Sequence, residues 1–225
     1  MSTMLSNLEL IRRVPLFSML TASQAEAVAE AVIKRRFKRG ELVVEQGKKS
    51  NALFIILTGR CRVFTSDARG REVILANLQP GDYIGEMSLI DNEPHSASVR
   101  AEVQTDALML GRLEFARCLP ENTSMAYAVM KGLVQRLRSA DRKIESLALM
   151  DVYGRVARAL MEASELDAQG NAFIRDKVSR QDLAKMVGAS REMVSRVMKD
   201  LEERGYIETQ ESGTVLIRER LTAMG

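Results

Sequence analysis

The spacing of the apolar residues changes once along this chain, near Asn122, and that change limits the folds open to it. Before it, from Ile33 to about Leu110, apolar residues fall in short runs broken by glycine: ELVVEQG, ALFIILTG, CRVFTS, REVILANLQPGD and ALML. Such runs, set at near-regular intervals with turn residues between them, predict an antiparallel sandwich or barrel. Gly40, Gly47, Gly59, Gly70 and Gly81 sit at or between the runs, where turns need them. A helical segment, TASQAEAVAEAVI, precedes the strands, with Thr21 or Ser23 placed to cap it.

After Asn122, Met130, Leu133, Leu137, Ala140, Ile144 and Leu147 recur at alternating intervals of three and four, flanked by Arg136, Arg138, Asp141, Arg142, Lys143 and Glu145. This is an a/d seam, and it predicts that two such helices pair as a coiled coil in a homodimer. A single helix packed on its own domain is the alternative. Asp151 can cap a further helix, DVYGRVARALMEASEL, before the turn-rich DAQGN. The reading is an α+β chain with a hinge near Met150: a strand-rich domain over 1–120, a pairing helix over 121–150 and a helical domain over 151–225.

Composition removes several function classes. With 46% apolar and 28% charged residues the chain reads as globular and ordered. No apolar run approaches the ~18–20 residues of a membrane helix, and MSTMLSNLELIRRV lacks the order of a secretory signal. Cys61 and Cys118 have no CxxC partner, which argues against a zinc ribbon, an iron–sulfur cluster or a disulfide scaffold and fits a reducing cytoplasm. With one histidine, no P-loop and no nucleophile–base pair, no enzyme and no metal site is expected. The net charge of +3 does not by itself call for nucleic acid.

Local pattern does. In RQDLAKMVGASREMVSRVMK, Leu183, Ala184 and Val187 give one short helix an apolar face, Gly188 supplies a tight turn and Ser190 caps a second helix. Val194, Val197 and Leu201 face back onto the first helix, while Arg191, Glu192, Ser195, Arg196 and Lys199 point outward. Arginine can grip guanine O6 and N7, and glutamate can accept from cytosine N4, so this helix suits a major groove. GYIETQESGTVLIRER then reads as two strands joined at Ser212-Gly213, a wing. The plainer alternative is a helical hairpin with a solvated charged face.

A second stretch, GEMSLIDNEPHSASVRA, holds the only histidine, His95. A short helix starting near Gly85-Glu86 directs the amides of its first turn, through Met87 and Ser88, at an anion, and Ser96 and Ala97 add a hydroxyl and another amide.

Together with RGELVVEQGKKSNALFIILTGRCRV, these two stretches resemble the CRP/FNR superfamily of bacterial transcription regulators over roughly residues 10–220, GEMSLIDNEPHSASVRA resembling its phosphate-binding cassette. The resemblance implies a cyclic-nucleotide-binding β-roll, a long dimer helix and a winged helix-turn-helix. It implies double-stranded DNA as partner, read by Arg191, Glu192 and Arg196 in TGTGA-like half-sites of a palindrome. Lys177, Ser179, Arg180 and Lys199 would contact phosphates, with Ser190 and Ser195 on the same face. RNA polymerase is an implied partner. No tightly bound cofactor is implied, only a cyclic nucleotide effector, with Glu86 taking a ribose hydroxyl and Ser96 a phosphate.

Two departures bear on the effector. The arginine with which the family pairs the cyclic phosphate is His95 here, and neutral imidazole offers one donor where arginine offers a charged fork. The adjacent Thr-Ser pair that recognises adenine falls at Ala140 and Asp141. Asp141 can accept from guanine N1–H and N2–H₂, and Arg136, Arg138 or Arg142 can meet O6, N7 or phosphate. Cyclic di-GMP, which some relatives sense, is therefore expected ahead of cyclic AMP or cyclic GMP. An ion pair with a flanking arginine is the other role for Asp141. A haem or gas sensor with His95 as axial ligand, and a ligand-independent regulator with a vestigial cassette, are the alternatives.

Overall fold

A computed structural model describes residues 6–18, 20–121, 123–175, 178–210 and 212–218. The chain divides into two compact units, Met1–Leu137 and Arg138–Gly225.

In the first unit, α1 (Asn7–Ile11) and α2 (Ala22–Ala31) both open with capping boxes. Ser6 and Glu9 serve each other's backbone amides in one, Thr21 and Gln24 in the other. Eight strands follow: β1 (Ile33–Phe37), β2 (Leu42–Val44), β3 (Ala52–Thr58), β4 (Cys61–Ser66), β5 (Glu72–Leu78), β6 (Tyr83–Ile84), β7 (Ser98–Ala101) and β8 (Thr105–Gly111). A short helix, α3 (Glu86–Asp91), separates β6 from β7. The strands form two antiparallel four-stranded sheets, ordered β1-β8-β3-β6 and β2-β7-β4-β5. The expected antiparallel sandwich is thus present.

Ala52 to Ile56 of β3 are all buried, which alternation alone would not produce in a sheet with one wet face. Ala52, Phe54 and Ile56 point into a core between the sheets with Phe37, Cys61, Val99 and Ala107. Leu53 and Ile55 point the other way, under a helical layer that supplies Ile11, Phe17, Val28, Phe115, Met125 and Val129. That layer includes α4 (Arg112–Glu121) and the start of the long helix α5 (Thr123–Leu149).

β1 and β7 lie outside the apolar runs that marked strands in the sequence. β1 reads IKRRF, and its charge suits its place at a sheet edge, where cations discourage pairing with another chain. Across from it on β8, Asp106 accepts from Arg36 Nε at 2.6 Å and Nη2 at 3.1 Å.

On α5 the apolar seam needs one correction. Leu133 is half-buried against the helical layer, so it belongs to the core of the first unit. The exposed apolar stripe runs instead through Tyr127, Met130, Val134, Leu137, Ile144 and Leu147. Gly132 is the notch of this helix. A Cβ there would overlap the hydroxyl of Tyr83, which donates to Val129 O at 3.2 Å.

In the second unit Asp151 caps α6 (Val152–Glu162), accepting from Gly154 N at 2.8 Å. The strands β9 (Glu165–Leu166) and β10 (Ala172–Ile174), the helices α7 (Arg180–Val187) and α8 (Arg191–Glu203), and the strands β11 (Ile207–Thr209) and β12 (Val215–Ile217) complete it. Its sheet runs β11-β12-β10-β9, so the wing expected at Ser212-Gly213 is joined by a hairpin that the turn residues of DAQGN had only hinted at. Val156, Leu160, Leu183, Val187, Val194, Met198, Leu201 and Ile207 form the core. Met198, not Val197, is the fully buried member of the pair on α8. The unit boundary falls before the hinge read near Met150 because the end of α5 packs here: Glu145 lies 4.0 Å from Arg158, and a Leu147 methyl sits at Gly188.

Candidate functional site

Two places bring together the polar residues that the sequence singled out. In the first unit, Gly85 turns β6 into α3 with φ +98°, and a Cβ would stand 2.7 Å from Ala52 O, so only glycine fits. α3 ends at Asn92 in the left-handed conformation, and Arg112 holds its last carbonyls, donating to Ser88 O at 2.8 Å and Leu89 O at 3.3 Å. The chain returns as an extended segment pinned to the β2–β3 loop: His95 N donates to Lys48 O and Gly47 N to His95 O, both at 2.9 Å.

These elements enclose a cavity of about 70 Å³. Its apolar wall is Val44, Val63, Leu78 and Val99, and its polar wall is Gly85, Glu86, Met87, Ser88, His95, Ser96 and Ala97. Tyr83 and Arg136 close it. The residues read as ligand contacts therefore line one cavity, with the exception of Asp141 and the alternative arginines Arg138 and Arg142, which are exposed on α5 in the second unit.

Glu86 is 1% exposed. Its Oε1 accepts from Arg136 Nη1 at 2.6 Å, and its Oε2 has no partner among the described residues. Burial pushes the Glu86 carboxyl above its usual range, and the Arg136 guanidinium offsets this only in part. Arg136 also donates to Tyr83 O and lies 5.1 Å from the Tyr83 ring centre. The carboxylate that the resemblance assigns to a ribose hydroxyl is thus held by the chain's own arginine.

His95 is buried, with Nδ1 3.0 Å from Ser88 Oγ and Nε2 2.8 Å from Ser50 Oγ. Burial lowers its pKa, which keeps the ring neutral. One nitrogen donates and the other accepts, and serine hydroxyls serve either role. Both nitrogens are engaged by serine hydroxyls. Among the described residues no group of three His, Cys, Asp or Glu side chains could hold a metal ion.

The second place is the surface of α8. Ser179 caps α7 and Ser190 caps α8, the latter accepting from Met193 N at 3.1 Å. Gly188 closes α7, and buried Ala184 lets the two helices cross closely. With Val194, Met198 and Leu201 turned inward, Arg191, Glu192, Ser195, Arg196 and Lys199 stand exposed. Ser190, Arg191, Glu192, Ser195 and Arg196 share one open face. Ser195 Oγ donates back to Arg191 O at 2.8 Å, and Lys199 pairs with Glu203 at 3.5 Å. Arg180 pairs with Glu202 at 3.7 Å. Lys177, read as a phosphate contact, lies outside the described residues.

Sequence reasoning missed Ser50, Tyr83 and Arg112. Each acts across tens of residues, and no local spacing announces such a partner. Among the described residues no helix is long and apolar enough to cross a membrane.

Known proteins show the same two parts. Residues 34–122 match the cyclic nucleotide-binding domain family, and residues 154–224 match the Crp-like helix-turn-helix domain. The chain is 34% identical over 180 residues to the cAMP-activated global transcriptional regulator Vfr of Pseudomonas aeruginosa, covering 77% of this chain and 84% of that one. It is 33% identical to the cyclic AMP receptor protein of Thermus thermophilus, over 91% of this chain and 93% of that one. The solved structure of the c-di-GMP responsive global regulator CLP of Xanthomonas campestris superposes with a TM-score of 0.76 at 26% identity, covering 88% of this chain and 99% of that one. A nucleotide-binding roll and a Crp-like reading motif in one chain, matched along most of its length, make it a DNA-binding transcription regulator of the CRP/FNR superfamily and not an enzyme.

Proposed function

We propose that the chain works as a cytoplasmic homodimer, binds a cyclic nucleotide in the roll, and responds by changing its affinity for a palindromic operator. Cyclic di-GMP is favoured over cyclic AMP. The observation that carries this choice is the state of His95: a neutral ring tied to two serines stands where the family keeps an arginine for the cyclic phosphate. The guanidinium of the cavity is Arg136 on α5. Asp141 adds an acceptor suited to guanine and unsuited to the adenine amino-acceptor edge that Thr-Ser reads. The likeness to the c-di-GMP responsive CLP supports the same direction, and the cAMP-activated relatives support the broader class.

Arg136 occupies Glu86 Oε1 in the free protein, so an effector hydroxyl that takes this oxygen displaces Arg136. Because Arg136 sits on α5, occupancy of the roll is felt by the long helix. The exposed stripe from Tyr127 to Leu147 is the dimer seam, which makes 121–150 the pairing segment between a sensor over 1–120 and a reading domain over 151–225. Arg191, Glu192 and Arg196 read TGTGA-like half-sites. Ser179, Arg180, Ser190, Ser195 and Lys199 hold the backbone, and RNA polymerase is the machinery so regulated.

Calorimetry with cyclic AMP, cyclic GMP and cyclic di-GMP tests the effector, with operator affinity measured beside each. Cyclic di-GMP is expected to bind most tightly and to change operator affinity by about 5- to 150-fold, the usual range of such coupling. Binding of none of the three would overturn the sensor reading. Tighter binding of cyclic AMP would overturn the choice of effector.

A further inference from the structure

Three helix ends meet beside the start of α8, and one side chain joins two of them. Helix C-termini leave carbonyls without intrahelical partners and carry partial negative charge. At the end of α5, Met150 O accepts from Arg155 Nη1 at 3.0 Å. At the end of α7, Val187 O accepts from Arg155 Nε at 2.9 Å. Arg155 itself sits in the first turn of α6, where its backbone amide donates to Asp151 O at 3.1 Å. Leu147, on the last turn of α5, packs its methyl against Gly188. Only Gly188 and Ala189 separate the capped end of α7 from Ser190, the cap of α8.

We propose that Arg155 is a positioning residue for DNA reading: its guanidinium caps α5 and α7 together and so fixes the direction of α8 relative to the end of the long helix. The fork geometry is what the task needs. Two donors in one rigid plane reach two carbonyls on different helices, and each bond is charge-assisted. A lysine in its place has one head on a flexible stem and holds one carbonyl at a time. Arg155 is half-buried and stands on α6, away from the open face of Arg191, Glu192 and Arg196. Its effect on DNA therefore runs through the helix it orients. The inference rests on α8 as the reading helix.

The test uses the full chain and an operator selected by the unaltered protein from a random-sequence duplex pool, so it holds whether or not TGTGA is the half-site. Arg155→Ala and Arg155→Lys are compared with the parent on that operator and on random duplex, with thermal unfolding alongside. The expected result is at least a ten-fold loss of operator affinity in Arg155→Ala and a smaller loss in Arg155→Lys, with random-duplex affinity held within two-fold. Arg155→Lys keeps the charge and carries the test if Arg155→Ala fails to fold. Operator affinity within two-fold of the parent in the folded variants would overturn the proposal. So would equal loss on operator and random duplex, which marks a merely structural residue. Selection is run without nucleotide and with each of cyclic AMP, cyclic GMP and cyclic di-GMP; if the parent enriches no sequence under any of these conditions, the reading helix itself is misassigned, and the proposal falls with it.

Discussion

Glu86 and Ser88 in the roll are 1% and 2% exposed, whereas Arg191, Glu192, Ser195 and Arg196 on α8 stand in the open. The difference reflects what each site must exclude. A small anion is recognised by a few groups fixed in place, so each must be satisfied inside the fold until the ligand replaces a partner. DNA brings its own polar edges and phosphates, so the reading side chains need only a rigid helix under them. In the roll, polarity and stability are therefore linked. On α8 they are separable, because one face folds and the other reads.

Substitutions can break that comparison. The largest effect is expected on the inward face of α8: Met198→Ala should cost about 2–5 kcal/mol of stability, read as a lower denaturant midpoint. Two residues away, Arg196→Ala should leave unfolding unchanged and cost about 1–3 kcal/mol of operator affinity, with relaxed sequence preference. An equal loss on random duplex would contradict base reading. In the roll, Ser88→Ala leaves His95 Nδ1 buried without its partner and should cost about 1–3 kcal/mol of stability. The outward Ser195→Ala should stay within about 0.5 kcal/mol, a matched serine pair that isolates burial.

The pH dependence gives the smallest and cleanest contrast. His95 is the only histidine, so one imidazole resonance reports it. Its folded pKa lies below 6.5, so the unfolded chain takes up this proton first as pH falls. The stability it contributes is present above about pH 6.5 and is lost as pH drops through the folded value. An NMR titration should place its midpoint below 6.5, and His95→Gln should remove that part of the acid slope. A midpoint above 6.5 would mean that the ring meets an anion in the free protein.

The same contrast explains what could be read from the sequence. The helix-turn-helix follows local rules: caps at Ser179 and Ser190, the turn at Gly188 and the apolar spacing from Leu183 to Leu201 all act within one or two turns. Val197 does pack against this core, and the residue the spacing left out is Met198, fully buried beside it. The roll was legible as short apolar runs broken by glycine. The charged edge strand β1 and the short β7 were not, since their place depends on neighbours far along the chain. The cassette could be located by its motif, but its working state could not. Ser50 reaches His95, Arg112 holds α3 and Arg136 holds Glu86 only after the fold has closed. On α5 most of the residues read as a seam are exposed, and Leu133 is not, because the helical layer claims that side of the helix.

β3 has one more consequence. Because Ala52 to Ile56 are shared by the core between the sheets and the core under the helices, neither layer can open without exposing the other. Amides of β3 should therefore exchange with solvent only when the whole first unit unfolds, last among its strands. Gly85 rests on the carbonyl of Ala52, and Arg112 is anchored to Asn51 just before it. The cassette is thus mounted on the part of the unit that fluctuates least, so a messenger entering there moves what lies above the site and not the floor beneath it.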